Sequence, residues 1–139
     1  MQDFARLADL YVSVWNEPDP QRRRDTIAQL WPPEGEHHVR TRKAIGHAEL
    51  EVRVRDSHAK NVAERGYRFR RSGEAQPLRD SVMFPWEMFH PDRPQVVEAC
   101  GVQFLLLAPD GRIAVDYQFI LPTPPDMTSG VMGSQHAAR

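Results

Sequence analysis

The apolar positions of the first segment, Phe4, Leu7, Ala8, Tyr11, Val14 and Trp15, recur at spacings of three and four. That spacing marks one face of an α-helix. Asn16-Glu17-Pro18 ends it, because proline disfavours helical geometry in the residue before it. Asp19 offers a side-chain oxygen to cap a second helix, and Pro20 suits its first position, where a missing N–H is no loss. This helix turns Ile27, Leu30 and Trp31 inward and stops at Pro32-Pro33. Glu36 to Arg40 reads as a short strand. A longer helix is predicted from His47 to Glu64, with Leu50, Val54, His58 and Val62 close to one stripe and Gly66 as its terminator.

From Tyr67 the hydrophobic period falls from that of a helix to 2, the period of a strand. Tyr67, Phe69 and Arg71 alternate with Arg68 and Arg70, and Val82, Phe84, Trp86 and Met88 share one face of a further strand. A loop through Pro91-Asp92-Arg93-Pro94 leads into a strand over Val96 to Leu107. Pro109-Asp110-Gly111 then makes a tight turn into a last strand, Ile113 to Leu121. Helices first and strands after predict an α+β fold with an antiparallel sheet rather than an alternating parallel one. The expected organisation is one domain over residues 1–121 and a Pro/Gly/Ser-rich tail over 122–139.

Composition narrows the function classes. The chain has 139 residues, 40% hydrophobic and 27% charged, with a formal net charge of −1. A chain of this size buries enough surface to hold one core unaided. The near-neutral balance argues against a nucleic-acid binder that works through bulk charge. The longest apolar run, Phe104 to Ala108, is too short to cross a bilayer, and no secretory signal pattern is present. The single cysteine, Cys100, excludes an internal disulfide and any multi-cysteine zinc site. The cytoplasm is the expected compartment, with no membrane or nucleic-acid partner.

Leu10-Tyr11-Val12-Ser13-Val14-Trp15-Asn16 and Leu30-Trp31, with Pro33-Glu34-Gly35 after them, carry a family resemblance. So do Ala44-Ile45-Gly46-His47-Ala48, Phe84-Pro85-Trp86-Glu87 and Asp110-Gly111-Arg112-Ile113. In this order the chain resembles the superfamily of nuclear transport factor 2, ketosteroid isomerase and the SnoaL-like polyketide cyclases. The resemblance implies three N-terminal helices packed on a strongly curved, mainly antiparallel sheet that forms a conical pocket. It also implies pairing of two chains through the outer sheet face. Tyr11 matches the isomerase tyrosine that donates to the substrate oxygen. The isomerase's general base falls on Val39 and its second oxyanion donor on Gln103. A valine cannot carry a proton, so the isomerase mechanism does not transfer unchanged. The His-Trp-Asp stretch of SnoaL-like cyclases matches Asp116-Tyr117-Gln118, so Gln118 replaces the cyclase aspartate and an acid stands two residues earlier.

Strand alternation puts Asp116, Gln118 and Ile120 on one face. If that face looks into the cone, Asp116 is a candidate proton carrier; otherwise it faces solvent or pairs with an arginine. Tyr11 and Trp15, one turn apart, offer a hydroxyl and an indole, or are simply core. His37 shares the parity of Val39 and faces inward, which sends His38 outward, so the pair cannot chelate one metal. His58 on its apolar stripe is a ligand contact or a core histidine. Gln103 shares its strand face with Ala99 and Gly101, and its amide can orient an oxygen but not transfer a proton. Cys100 falls on the opposite face. The arginines at 65, 68, 70, 71 and 79 read as a solvated face or a dimer rim, with a nucleic-acid or acidic-partner surface as the sharper alternative.

The expected protein is therefore a pocket for a small hydrophobic molecule, needing no cofactor or metal. As an enzyme it would be an isomerase, cyclase or dehydratase acting on a carbonyl or hydroxyl compound, with Asp116, Tyr11 and His37 catalytic. Trp15, Phe84, Trp86, Gln103, Gln118 and His58 are the expected ligand contacts. The alternative is a non-catalytic ligand-binding or dimerisation domain.

Overall fold

The computed structural model describes residues 2–123, so residues 124–139 of the expected tail lie outside it. Helix α1 (Phe4–Asn16) is capped by Asp3, whose carboxylate accepts from Arg6 N. Asp19 caps α2 (Pro20–Leu30) in the same way through Arg22 N, with Pro20 in the first turn as the sequence predicts. The strands β1 (Glu36–Val39) and β2 (Arg42–Ile45) form a hairpin ahead of α3 (His47–Ser57). Four of the remaining five strands are β3 (Arg68–Arg71), β5 (Ser81–Phe89), β6 (Ala99–Leu107) and β7 (Ile113–Leu121). The fifth is β4 (Gln76–Leu78), a short strand paired to β5.

The sheet order is β2-β1-β7-β6-β5-β3. Three helices pack on this curled, unclosed sheet, an α+β cone. Leu7, Tyr11, Val14 and Trp15 of α1 meet Ile27 and Leu30 of α2 and Trp31 at its C-terminal cap, with Val54, Phe84, Leu105 and Ile113 completing the core. The Asn16 amide clamps the end of α1 to β3, donating to Phe69 O and accepting from Phe69 N, both at 2.8 Å.

Within the expected mainly antiparallel sheet and three helices, the structure differs from the sequence reading in four details. The sheet is mixed, because β1 runs parallel to β7, while the other pairings are antiparallel. The expected helix over His47–Glu64 changes at His58 into a π-helical segment, His58–Glu64, whose wider turn a seven-residue pattern does not reveal. Strands β2 and β4 carry Arg42, Lys43 and Pro77, residue types that suit sheet edges and hide a strand pattern. Strand β6 starts at Ala99, not Val96.

A register shift in the last hairpin decides which way β7 faces. Leu106 pairs with Val115, but Leu107 pairs with Ile113. Ala114 is thus an extra residue on β7, a bulge. Ile113 and Asp116 are both fully buried on the inner face, which uninterrupted alternation from Ile113 would not allow.

Candidate functional site

The sheet register brings the polar residues together. The parallel pairing sets His37 opposite Asp116, and the β6–β7 ladder sets Gln103 opposite Gln118. Tyr11 comes down from α1. Its hydroxyl donates to Asp116 Oδ2 at 2.6 Å, and Gln103 Nε2 donates to Asp116 Oδ1 at 2.6 Å and to the Tyr11 oxygen at 2.7 Å. His37 Nδ1 bonds to Asp116 Oδ2 at 2.7 Å. The carboxylate therefore accepts from three side chains. Its Gln103 partner must turn the amide nitrogen, not the oxygen, toward it.

Arg53 extends this chain from α3. Its Nε donates to His37 Nε2 at 3.3 Å and one terminal nitrogen donates to Gln118 Oε1 at 3.4 Å. With Nε2 accepting, Nδ1 is the donor, so the His37 ring bridges a guanidinium and a carboxylate. The guanidinium also lies over the Trp15 ring, 5.0 Å from its centroid. Burial lowers the Arg53 pKa from its usual value. Burial, and then the neighbouring Asp116 charge, push the Tyr11 hydroxyl well above its usual range, so it stays a neutral phenol.

Above this floor lies a cavity of about 210 Å³. Tyr11, Gln103, Gln118 and Arg53 form its polar end, and Trp15, Phe69, Phe84, Trp86 and Met88 its apolar wall. Gly101 on β6 makes room for Trp86: a Cβ there would meet Trp86 Cζ2 at 2.5 Å and the Phe119 carbonyl oxygen. Ser57 and Asn61, joined by an Asn61 Nδ2 to Ser57 Oγ bond of 3.3 Å, line the side where α3 passes into its π-helical turn.

Of the residues singled out from sequence, Tyr11, Trp15, Phe84, Trp86, Gln103 and Gln118 line this cavity. Asp116 and His37 do not. Both are fully buried directly behind Tyr11 and Gln103. His58 stands apart from the cavity, and its buried ring feels the charges of Arg23, Arg68 and Glu17 instead. Arg53 escaped the sequence reading; its signal was its place one residue before Val54 on the inward arc of α3. Of the five arginines of the concentration, two are in ion pairs, Arg70 with Glu87 and Arg71 with Asp9.

With that geometry in place, comparison with known proteins is direct. A proposed isomerase of the SnoaL-like family from Agrobacterium tumefaciens superposes at a TM-score of 0.78 with 24% identity, covering 88% of this chain and 100% of that one. The chain has the SnoaL-like, nuclear transport factor 2-like fold. A proposed polyketide cyclase from Sinorhizobium meliloti shares this SnoaL-like fold at a TM-score of 0.60 and 12% identity, over 81% of this chain and 93% of that one. So does a protein of ketosteroid isomerase-like fold from Catenulispora acidiphila, solved in complex with trimethylamine, at 0.64 and 10%, over 96% and 95%. No protein-family model and no curated protein matches the sequence. Among the described residues, no helix is long and apolar enough to cross a membrane.

Proposed function

We propose that this chain is a cytoplasmic small-molecule pocket protein that moves a proton on a hydrophobic carbonyl or hydroxyl compound, by isomerisation, cyclisation or dehydration. One observation carries this reading: a buried carboxylate, Asp116, held behind the cavity by Tyr11 and Gln103, of which only the Tyr11 hydroxyl can pass a proton on. In the forward step the Tyr11 oxygen takes a proton from the substrate while its own proton passes along the 2.6 Å bond to Asp116. The carboxylate becomes a carboxylic acid and the substrate an oxyanion or enolate. The reverse transfer delivers the proton to a different substrate atom. The Arg53 guanidinium favours the charge that develops on the substrate oxygen, and His37 holds Asp116 in place. The proposed roles of the Agrobacterium and Sinorhizobium proteins agree with this class of reaction.

The test is exchange of α-protons of small aryl ketones such as phenylacetone in heavy water. The native chain should accelerate exchange. Asp116→Asn, checked for folding by circular dichroism, should lower the rate by about a hundredfold or more. If small molecules bind in the cavity and no exchange is catalysed, the protein is a binding module of the same fold. The apolar outer face of the sheet, with Tyr117 and Phe119 exposed, supports pairing of two copies in either case.

A further inference from the structure

Arg53 is the one charged side chain lining the cavity among the described residues. A half-buried guanidinium normally finds a carboxylate, because leaving its charge without one in a partly apolar site is costly. Here no acidic side chain among the described residues lies within ion-pair distance of it. Asp56 acts on it through space but is held by Arg42 and Arg55, each at 3.4 Å. Asp116 is saturated by Tyr11, His37 and Gln103, and the His37 ring stands between it and the guanidinium.

The bonds that Arg53 does make use Nε and one N–H of a single terminal nitrogen. Free N–H groups remain on both terminal nitrogens, which is the edge that grips two oxygens of one carboxylate. The site thus holds one positive charge with N–H groups to spare and is otherwise walled by Phe69, Phe84 and Met88. Its volume of about 210 Å³ is below the range of roughly 300–1,000 Å³ usual for drug-sized ligands.

We propose that the cavity binds a small monocarboxylate with an apolar body, its carboxylate gripped by Arg53 and its carbon frame lying between Trp15, Phe84 and Trp86. This rests on the small-molecule reading above and assigns the ligand its charge. One cation matches one negative charge, so a phosphate dianion is a poor fit, and an ammonium compound meets a guanidinium where it would need an acid.

Trp15 and Trp86 make the test direct, because their fluorescence reports on the cavity wall. Phenylacetate, phenylacetamide and phenethylamine are titrated into the native chain, Arg53→Gln and Arg53→Lys. Phenylacetate should bind at least tenfold more tightly than its amide, the size of effect a charge-assisted bond supplies, and phenethylamine should bind weakest. Arg53→Gln should lose the preference, and Arg53→Lys, which keeps the charge without the fork, should keep part of it. Should Arg53→Gln fail to fold, a smaller preference in Arg53→Lys than in the native chain carries the point. Equal binding of acid and amide, or a full preference that survives both substitutions, overturns the proposal. Tightest binding of the amide or the amine rejects the carboxylate while leaving the small-molecule reading intact. Binding of none of the three at roughly 1 mM rejects both.

Discussion

Tyr11 does three things at once: it donates to Asp116, accepts from Gln103 and packs its ring against Trp31 and Phe84. Tyr11→Phe keeps the packing and strands two buried polar partners, so it should cost about 1–3 kcal/mol of stability, measured by denaturant titration. A second residue links the fold to pH. Burial, helped by the Arg23 and Arg68 charges and opposed by Glu17, lowers the His58 pKa. The unfolded chain then takes up this proton before the native state does, so stability is lost as pH falls below about 6.5, the unfolded value. Replacing the histidine by a neutral residue, His58→Asn, should shrink the fall in Tm between about pH 7.5 and 5.5; an unchanged fall would assign the acid sensitivity elsewhere. Parity along β1 made His37 and His38 readable as inward and outward, and the structure places them so. Arg53 was not readable in this way, since a lone arginine on a helix is ordinarily a solvated one. Its inward placement depends on partners 16 and 65 residues away in sequence.

At the scale of elements, the cavity wall depends on two local features of the sheet. Gly101 lets the Trp86 indole lie against the β6 backbone, and a methyl group there runs into a carbonyl that cannot move away. Gly101→Ala should therefore lower stability by about 1–3 kcal/mol and displace Trp86. Calorimetry reads the first effect and fluorescence the second; a native Tm and an unchanged spectrum would show that the sheet yields more easily than its geometry suggests. The other is the Ala114 bulge. The Pro-Asp-Gly turn announces the hairpin plainly in sequence, and the alternation of Asp116 with Gln118 is equally visible. Which face those residues occupy was not. Nothing in Ile113-Ala114-Val115 signals an extra residue, so only the family resemblance turned Asp116 inward. The edge strands were illegible for a simpler reason: Arg42, Lys43 and Pro77 are chosen for solvent, and solvent-facing sequence has no period to read.

For the molecule as a whole, the order of helices then strands was enough to establish the α+β class, and the family resemblance supplied the curvature. The outer face of the three central strands remains apolar, with Phe119 54% and Leu121 45% exposed and Phe104, Tyr117 and Met83 beside them. A sheet with one wet face normally carries polar residues there, so a second copy is the simplest cover. Sedimentation velocity at tens of micromolar, roughly where marginal interfaces dissociate, should find a dimer, and Phe119→Lys should convert it to a monomer with its fold intact. A native chain that sediments as a monomer at that concentration would remove this face from consideration as an interface.

The single parallel pairing also governs when the site comes into being during synthesis. In the sheet order, β7 is the link between the β1–β2 hairpin and β6. Until residue 116 has left the ribosome and its strand has slotted between those neighbours, Tyr11, His37 and Gln103 have no shared acceptor, and the sheet is two unconnected pieces. Closing the gap between Tyr11 and Asp116, 105 residues apart, is a long-range step that local structure cannot hasten. A nascent chain stalled before β7 thus lacks both Asp116, the acceptor that Tyr11, His37 and Gln103 share, and the strand that joins the β1–β2 hairpin to β6.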